Sequence, residues 1–410
     1  MIGRTLYHRT AFSKEAKRIL AVISAVALAA MSGCRRDGPE DGIHVYSNGT
    51  SAVVDVGEQV YSTSGNAEFY VPDGMVTDHY SSADFSEEEK EVYDNVLNDL
   101  GNLKERVPLT VDSTILKKVL DVIRVEQLAY FNISDRGIDF NKETQQFEIW
   151  YKYRFTADEI SSMNIASERA AREIMEQITP DMDDYDKLKF FHDYLVLNCK
   201  NDTESPYSDT IYGTLVQKKA LCEGYAKTFS YLCNLAGIEN TIVTGLTQVP
   251  HMWNMVKLGG NWYHVDVTWD NPDDALRAEY PDVILYQYFM VTDSVIENNH
   301  TIWMSPVEPP KANGRNENYF VREGFDINSE EEFLTVSQNA VLNAVRNHER
   351  SAMVKFASND MYISVTSKID PAAFEQIRRR AMSDYGINIK LNWTDYYEQY
   401  RILTYIIDYA

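Results

Sequence analysis

A chain of 410 residues exceeds one ordinary hydrophobic core, so two or three domains are expected in addition to any leader. Its make-up, 44% hydrophobic and 25% charged, is that of a soluble globular protein rather than a fibrous or disordered one. A formal net charge of −23 repels a phosphate backbone and excludes nucleic acid as an expected partner.

In chain order, residues 1–33 read as a signal peptide. Arg4, Arg9, Lys14, Lys17 and Arg18 make a basic start, and the apolar run 19–31 is 13 residues long. That is short of the ~20 residues that cross a bilayer and fits a secretory apolar region. Met31-Ser32-Gly33-Cys34 resembles the lipobox of bacterial lipoproteins, in which the cysteine is lipid-modified and becomes the new N-terminus, although Met31 stands where those sequences prefer Leu. The resemblance implies an extracytoplasmic, cell-surface lipoprotein held to the membrane by a lipid on Cys34, with plain secretion as the alternative. The leader carries five Lys/Arg and one Glu, so its loss would leave a net charge of −27.

Residues 34–85 show little periodicity and read as a tether. In residues 86–155, Val92, Val96, Leu100 and Leu103, then Leu116, Val119, Leu120 and Ile123, recur at helical spacing. A hairpin of 137–140 with 147–153 turns around Asn141-Lys142-Glu143-Thr144. These make a small N-terminal α/β module. Residues 156–305 form the next domain, opened by the capping box Thr156-x-x-Glu159. The acidic run 181–186 lacks the Gly that a calcium loop needs at its sixth place, where Asp186 stands, and suits the first turn of a helix. His192 on that helix reads as a surface or packing residue. Residues 306–317 have the composition of a linker. Residues 318–410 read as a small α+β domain for binding or support: a helix capped by Ser329-x-x-Glu332, strands at 353–356 and 361–365, a helix at 371–383 with Arg378-Arg379-Arg380 on its solvated face, and strands at 388–393 and 400–409.

The chemistry is concentrated between Tyr212 and Asp270. The apolar residues Tyr225, Ala226, Phe229, Leu232, Cys233 and Ala236 make one helical stripe that ends at Gly237, so Cys222 opens a helix. A thiol there meets unpaired N–H groups and the positive dipole end, which favour thiolate and can hold an oxyanion beside it. Cys233, on the apolar stripe, reads as a buried hydrophobe, and Cys199, at a helix end, as inert. Past Cys34 the cysteines number three, an odd count, so at least one thiol stays free. Strands 251–257 and 262–269 flank Gly259-Gly260. A two-residue turn pairs residues whose numbers sum to 519 and puts His251 and Asp266 on one face as diagonal neighbours. A three-residue turn would separate them. His264 alternates with Asp266 on its own strand and is a rival imidazole, so spacing alone leaves the choice open.

Tyr-Gly-Thr-Leu at 212–215, Cys-Glu-Gly-Tyr-Ala at 222–226, His-Met-Trp-Asn at 251–254 and Trp-Tyr-His-Val-Asp-Val-Thr-Trp-Asp at 262–270 together resemble the transglutaminase-like superfamily, over about residues 185–300. The resemblance implies an α+β, papain-like core with a nucleophile helix packed on an antiparallel sheet. By that resemblance Cys222 is the nucleophile, His251 the general base and Asp266 the group that orients it, with His264 a strand residue. The hydroxyl of Tyr212 is a candidate oxyanion donor, and Trp253, Trp262 and Trp269 are candidate groove walls. The calcium sites of animal transglutaminases have no visible counterpart, and no metal or cofactor is expected. The expected function is thiol acyl chemistry on a protein or cell-wall peptide, through a thioacyl intermediate, as a peptidase or amidase rather than a cross-linking transferase. A catalytically silent surface scaffold is the alternative.

Overall fold

The computed structural model describes residues 80–127, 132–303, 305–394 and 400–409. The leader, Cys34 and nearly all of the expected tether lie outside the described residues.

The first layer follows from two capped amphipathic helices. Ser86 closes a capping box with Glu89 to open helix Glu87–Gly101, and Asp112 accepts from Thr114 N to open helix Ser113–Glu126. Val92, Val96 and Leu100 meet Leu116, Val119 and Ile123 in a core completed by Ile149 and Tyr151. Those last two come from an antiparallel sheet ordered β1-β3-β2, built from β1 (Arg106–Pro108), β2 (Ile133–Asn141) and β3 (Gln146–Tyr153). The short β1 escaped the sequence reading, and the hairpin is longer than expected.

Glu126, at the end of the second helix, accepts from Ser82 N at 2.9 Å and from the Tyr93 hydroxyl at 3.2 Å. Burial raises its pKa to about 7 against these hydrogen bonds. A carboxyl raised in the folded state is easiest to fold while protonated. Stability is therefore full below the ordinary value near 4.5 and falls as pH rises toward 7, by on the order of 2–3 kcal/mol. Glu126→Gln is expected to flatten that fall. Denaturant midpoints at pH 4.5 and 8 check it, and an unchanged slope for the variant would refute the assignment.

The central region carries helices Ala157–Met175 and Asp184–Asn198, both opened by capping boxes, at Thr156/Glu159 and Asp183/Asp186. The acidic run thus supplies the first turn of a helix, as expected, with Asp184 and Asp186, and Asp183 is in addition its N-cap. Two-residue strands β4 (Lys200–Asn201) and β5 (Lys219–Ala220) pair in parallel. Helix Cys222–Leu235 follows and stops before Gly237, whose φ is +74°. It lies on a five-stranded antiparallel sheet ordered β10-β6-β7-β8-β9, made of β6 (Asn240–Leu246), β7 (Pro250–Leu258), β8 (Asn261–Val265), β9 (Phe289–Val291) and β10 (Thr301–Ile302). Leu258 pairs with Asn261 and Asn254 with Val265, so the two-residue Gly259-Gly260 turn sets the register. Both glycines have positive φ, +57° and +80°, as a type I′ turn needs. Strand β8 is shorter than expected, because residues 267–270 form a helical turn capped by Asp266.

The C-terminal region has a four-stranded sheet ordered β11-β12-β14-β13: β11 (Asp326–Ile327), β12 (Ser351–Phe356), β13 (Ile389–Thr394) and β14 (Ile402–Tyr409). Helices Phe333–Arg346 and Pro371–Tyr385 accompany it. Two expectations fail here. Residues 361–365, read as a strand, lie in helix Asn359–Thr366. Ser358 caps it at Met361 N, and its buried residues Tyr362 and Val365 are three apart rather than two. Ser329 makes no side-chain cap, because a 3₁₀ turn, Glu330–Glu332, intervenes and Glu332 reaches back to Asn328 N instead.

One hydrophobic cluster runs through both the central and the C-terminal regions. Tyr286 stacks on Tyr319 at 3.8 Å, Arg322 pairs with Asp183 and lies 4.2 Å over the Tyr185 ring, and the Tyr288 hydroxyl donates to that of Tyr400 at 2.9 Å. Residues 306–317 are equally seated. Asp293 N donates to Ala312 O, the Asp293 carboxylate accepts from Ala312 N, and Ala312 is buried. Composition suggested a linker, yet the segment packs as part of the body.

Candidate active site

The helix opened by Cys222 is built for close approach at its start. Its N-cap, Leu221, supplies no side-chain acceptor, so the first-turn N–H groups keep no side-chain cap. Glu223, largely covered beside that turn, pairs with Lys227 at 2.8 Å and Arg124 at 3.2 Å. Burial opposes its charge, but Lys227 and Arg124 outweigh burial and hold it at about 2. Gly224 allows the neighbouring chain in, since a Cβ there would stand 2.2 Å from Ser208 O and 2.9 Å from the Thr214 hydroxyl. Thr214 belongs to the short helix Ile211–Leu215, so Tyr212 sits on an element pressed against the first turn of the Cys222 helix. Tyr212 is half-buried, with its ring edge-on to Tyr207 at 5.4 Å.

Strand β7 lies directly on this helix. Met252 packs with Ala226, and the Asn254 side-chain amide donates to Ala226 O at 2.9 Å. His251, at the start of β7, has its Nε2 2.7 Å from Asp266 Oδ2. Asp266 directly follows β8, and its other oxygen accepts from Thr268 N at 3.0 Å and Trp269 N at 3.1 Å. The carboxylate is therefore fixed in orientation by the turn that follows it. Burial works against its charge, but His251 and His300 hold its pKa well below the usual carboxylate range. An ionised Asp266 only accepts, so His251 carries its proton on Nε2 and keeps the lone pair on Nδ1.

His264, the rival imidazole, is committed elsewhere. The Trp253 indole N–H donates to its Nδ1 at 3.0 Å, and its Nε2 faces Asp293 Oδ1 at 3.0 Å. Those contacts define a neutral tautomer with the proton on Nε2, and burial lowers its pKa further despite Asp293. Trp253, a candidate groove wall, is 1% exposed and stacks between these imidazoles, so it is a core residue rather than a wall. Trp262 is half-buried under Lys257 and beside Tyr80, and half-buried Trp269 places its ring edge against His251 at 6.2 Å.

His300 is the site residue that sequence reasoning missed. It is buried, and its Nε2 lies 2.9 Å from the same Asp266 oxygen that His251 uses. The chain returns it there by pairing β10 to β6, with Ile302 opposite Gly245 and Gly245 opposite His251. Gly245 is required at that crossing, because a Cβ would stand 2.4 Å from Thr301 O and 2.6 Å from the Trp253 ring. An isolated histidine before a two-residue strand carries no sequence signal of this.

His251, Asp266 and His300 are also the one group among the described residues with the donors of a metal site, all within 4.8 Å. Their contacts of 2.7 and 2.9 Å are hydrogen-bond lengths, against ~2.0–2.2 Å for nitrogen or oxygen on zinc. A metal would have to displace both Nε2 protons, so the three side chains fit a hydrogen-bonded relay better than a cation site.

His192, expected at the surface or in packing, is fully buried between Asp193 (2.9 Å) and Asp270 (3.1 Å). Burial opposes its charge, but the two carboxylates raise its pKa overall. The other thiols are silent. Burial pushes Cys199 up to about 12, where its Sγ donates to Thr214 O at 3.1 Å, and raises the fully buried Cys233 likewise. Cys222 alone of the three is not fully covered, at 8% exposed.

Part of the chain is similar to known proteins. Residues 170–267 match the model of the transglutaminase-like superfamily. Over 97 residues the chain is 28% identical to the Kyphoscoliosis peptidase of Homo sapiens and 34% identical to that of Mus musculus. Each match covers 20% of this chain and 15% of the relative, so only a small part of those proteins is represented. A solved structure described as a TGase is 16% identical at a TM-score of 0.23, covering 40% of this chain and 50% of that one. Residues 170–267, which hold the Cys222 helix and most of the antiparallel sheet, thus carry a transglutaminase-like core within a mixed α/β structure.

Proposed function

We propose that this protein is a cysteine-dependent acyl-transfer enzyme that cleaves amide bonds in protein or cell-wall peptide. The observation that carries the reading is the 2.7 Å bond from His251 to a fixed Asp266, on a strand packed against the helix that Cys222 opens. His251 Nδ1 takes the thiol proton, and the thiolate sulfur attacks the carbonyl carbon. The uncapped N–H groups at the helix start face the developing oxyanion, with Tyr212 as an additional donor. The imidazolium then passes its proton to the leaving amine, the C–N bond breaks, and a thioacyl-enzyme remains. Water, activated by the same imidazole, releases the acid and restores the thiol. The name of the partial relatives as peptidases favours water over an amine acceptor.

Alkylation tests this without a known substrate. Iodoacetamide is expected to modify Cys222 near neutral pH and to leave Cys199 and Cys233 unmodified, with His251→Ala slowing the reaction at least about tenfold. Equal labelling of the three thiols, or no effect of His251→Ala, would favour the silent scaffold. Release of new amino termini against incorporation of a primary amine then separates hydrolysis from transfer.

The proposed location is the outer face of a membrane, through a lipid on Cys34, supported by the basic start, the 13-residue apolar run and the small residues before that cysteine. Metabolic labelling with a fatty acid is expected to mark the parent chain and not Cys34→Ser. Equal labelling of both would remove the assignment.

A further inference from the structure

Away from the thiol site, a cavity of about 150 Å³ opens where β9 and the turn after it meet the four-stranded sheet. Arg315, Lys355 and Arg401 line it together with one carboxylate, Asp326. None of the three cations forms an ion pair among the described residues, in a chain whose net charge is −23 and whose other basic side chains are widely paired. Asp326 is engaged by the Asn328 side-chain amide at 2.9 Å. The Lys355 ammonium lies 5.3 Å from the Phe320 ring centre.

We propose that this cavity is a binding site for a phosphate group, free or as a phosphomonoester, independent of the thiol chemistry. Three cations against the one lining carboxylate leave the wall at +2, with buried Asp270 behind Lys355 as a further negative charge, so a phosphate group meets an excess of positive charge. Guanidinium groups present forked donors that match phosphate oxygens, and a lysine adds a compact charge. Asn318 and Asn328 offer neutral donors on the same wall. The volume is well under the ~300 Å³ where drug-sized ligand pockets begin, so one oxyanion head fits and a long organic body stays outside.

Two further observations point the same way. Burial, then Arg401 and Arg315, lower the pKa of Lys355 to about 8 against the pull of Asp270. The cation is thus held where neighbours of like sign disfavour it, and an anion would relieve that. Arg401 also has φ of +60°, a left-handed conformation that a non-glycine residue keeps only where its surroundings hold it. Phe356 N donates to Arg401 O at 2.9 Å, and the Arg401 guanidinium donates to Ala357 O. These contacts aim the side chain along the cavity wall.

Titration calorimetry of the full chain with inorganic phosphate and, separately, glycerol 3-phosphate tests the site, with acetate at matched ionic strength as control. Saturable one-to-one binding of either phosphate, absent with acetate, is the expected result. If both bind, the head group suffices; if only the ester binds, the source is a phosphomonoester. Lys355→Gln and Arg401→Gln are each expected to weaken binding about tenfold or more. Lys355→Gln should also melt higher than the parent without phosphate, because it removes a cation from among like charges, which distinguishes lost binding from lost folding. Absence of saturable binding by both phosphates, or equal binding by parent and variants, would overturn the proposal. The Cys222 alkylation rate should be unchanged in both variants.

Discussion

Asp266→Asn is expected to reduce kcat/KM on any peptide amide the parent cleaves by on the order of 10³- to 10⁴-fold, by analogy with the buried aspartate of serine-protease triads. The reasoning rests on donor and acceptor places. One Asp266 oxygen accepts from Thr268 N and Trp269 N, so the carbonyl of an asparagine must stay there. The amide NH₂ is then forced into the place of Oδ2, facing His251 Nε2 and His300 Nε2. Donor would meet two donors. The nearest remedy is for His251 to move its proton to Nδ1, which removes the lone pair that the proposed mechanism needs to take the thiol proton. The helix cap survives, so the variant should fold, and circular dichroism checks that. Cys222 alkylation at neutral pH should slow in parallel. A folded variant retaining activity within about threefold of the parent would show that Asp266 has no part in the chemistry.

Ending the chain at residue 317 is expected to leave no soluble central domain. Tyr286, Phe289, Tyr185 and Leu188 belong to one cluster with Tyr319, Phe320, Val341, Val354 and Tyr405. Truncation bares the first group while Arg322 also leaves Asp183. Exposing a large buried side chain costs ~1.5–3 kcal/mol, and several such losses exceed the ~5–15 kcal/mol by which domains are stable. Expression of the truncated and full-length chains, compared for soluble yield and thermal unfolding, checks this. A truncated chain that melts cooperatively near the parent temperature would mean that the C-terminal region is an independent appendage. Composition pointed to such an appendage, because residues 306–317 look like a linker. Residues 306–317 instead pack on the central region, where Ala312 is buried and its N–H donates to Asp293.

Much of the local architecture was legible because its causes are local. The capping box at Thr156, the acidic first turn of helix Asp184–Asn198 and the glycine after the Cys222 helix act within a few residues. The β7–β8 register, Asn254 with Val265 to Leu258 with Asn261, is the one a two-residue glycine turn gives, one of the two turn lengths that the spacing allowed. Residues 361–365 misled because a short, mostly apolar run fits both periods, and the Ser358 cap tips it to helix.

What the sequence by itself determined is thus the helix start that presents Cys222 and the hairpin around Gly259-Gly260, while the bond from His251 to Asp266 is a finding of the fold. Tertiary structure alone decided the rest: which histidine Trp253 and Asp293 occupy, that His300 returns to share the Asp266 carboxylate, and that Trp253 is core rather than groove. Both kinds of outcome have one physical reason. Caps and turns are set by neighbours in the chain, whereas the partners of a buried polar group depend on strands that meet only after folding.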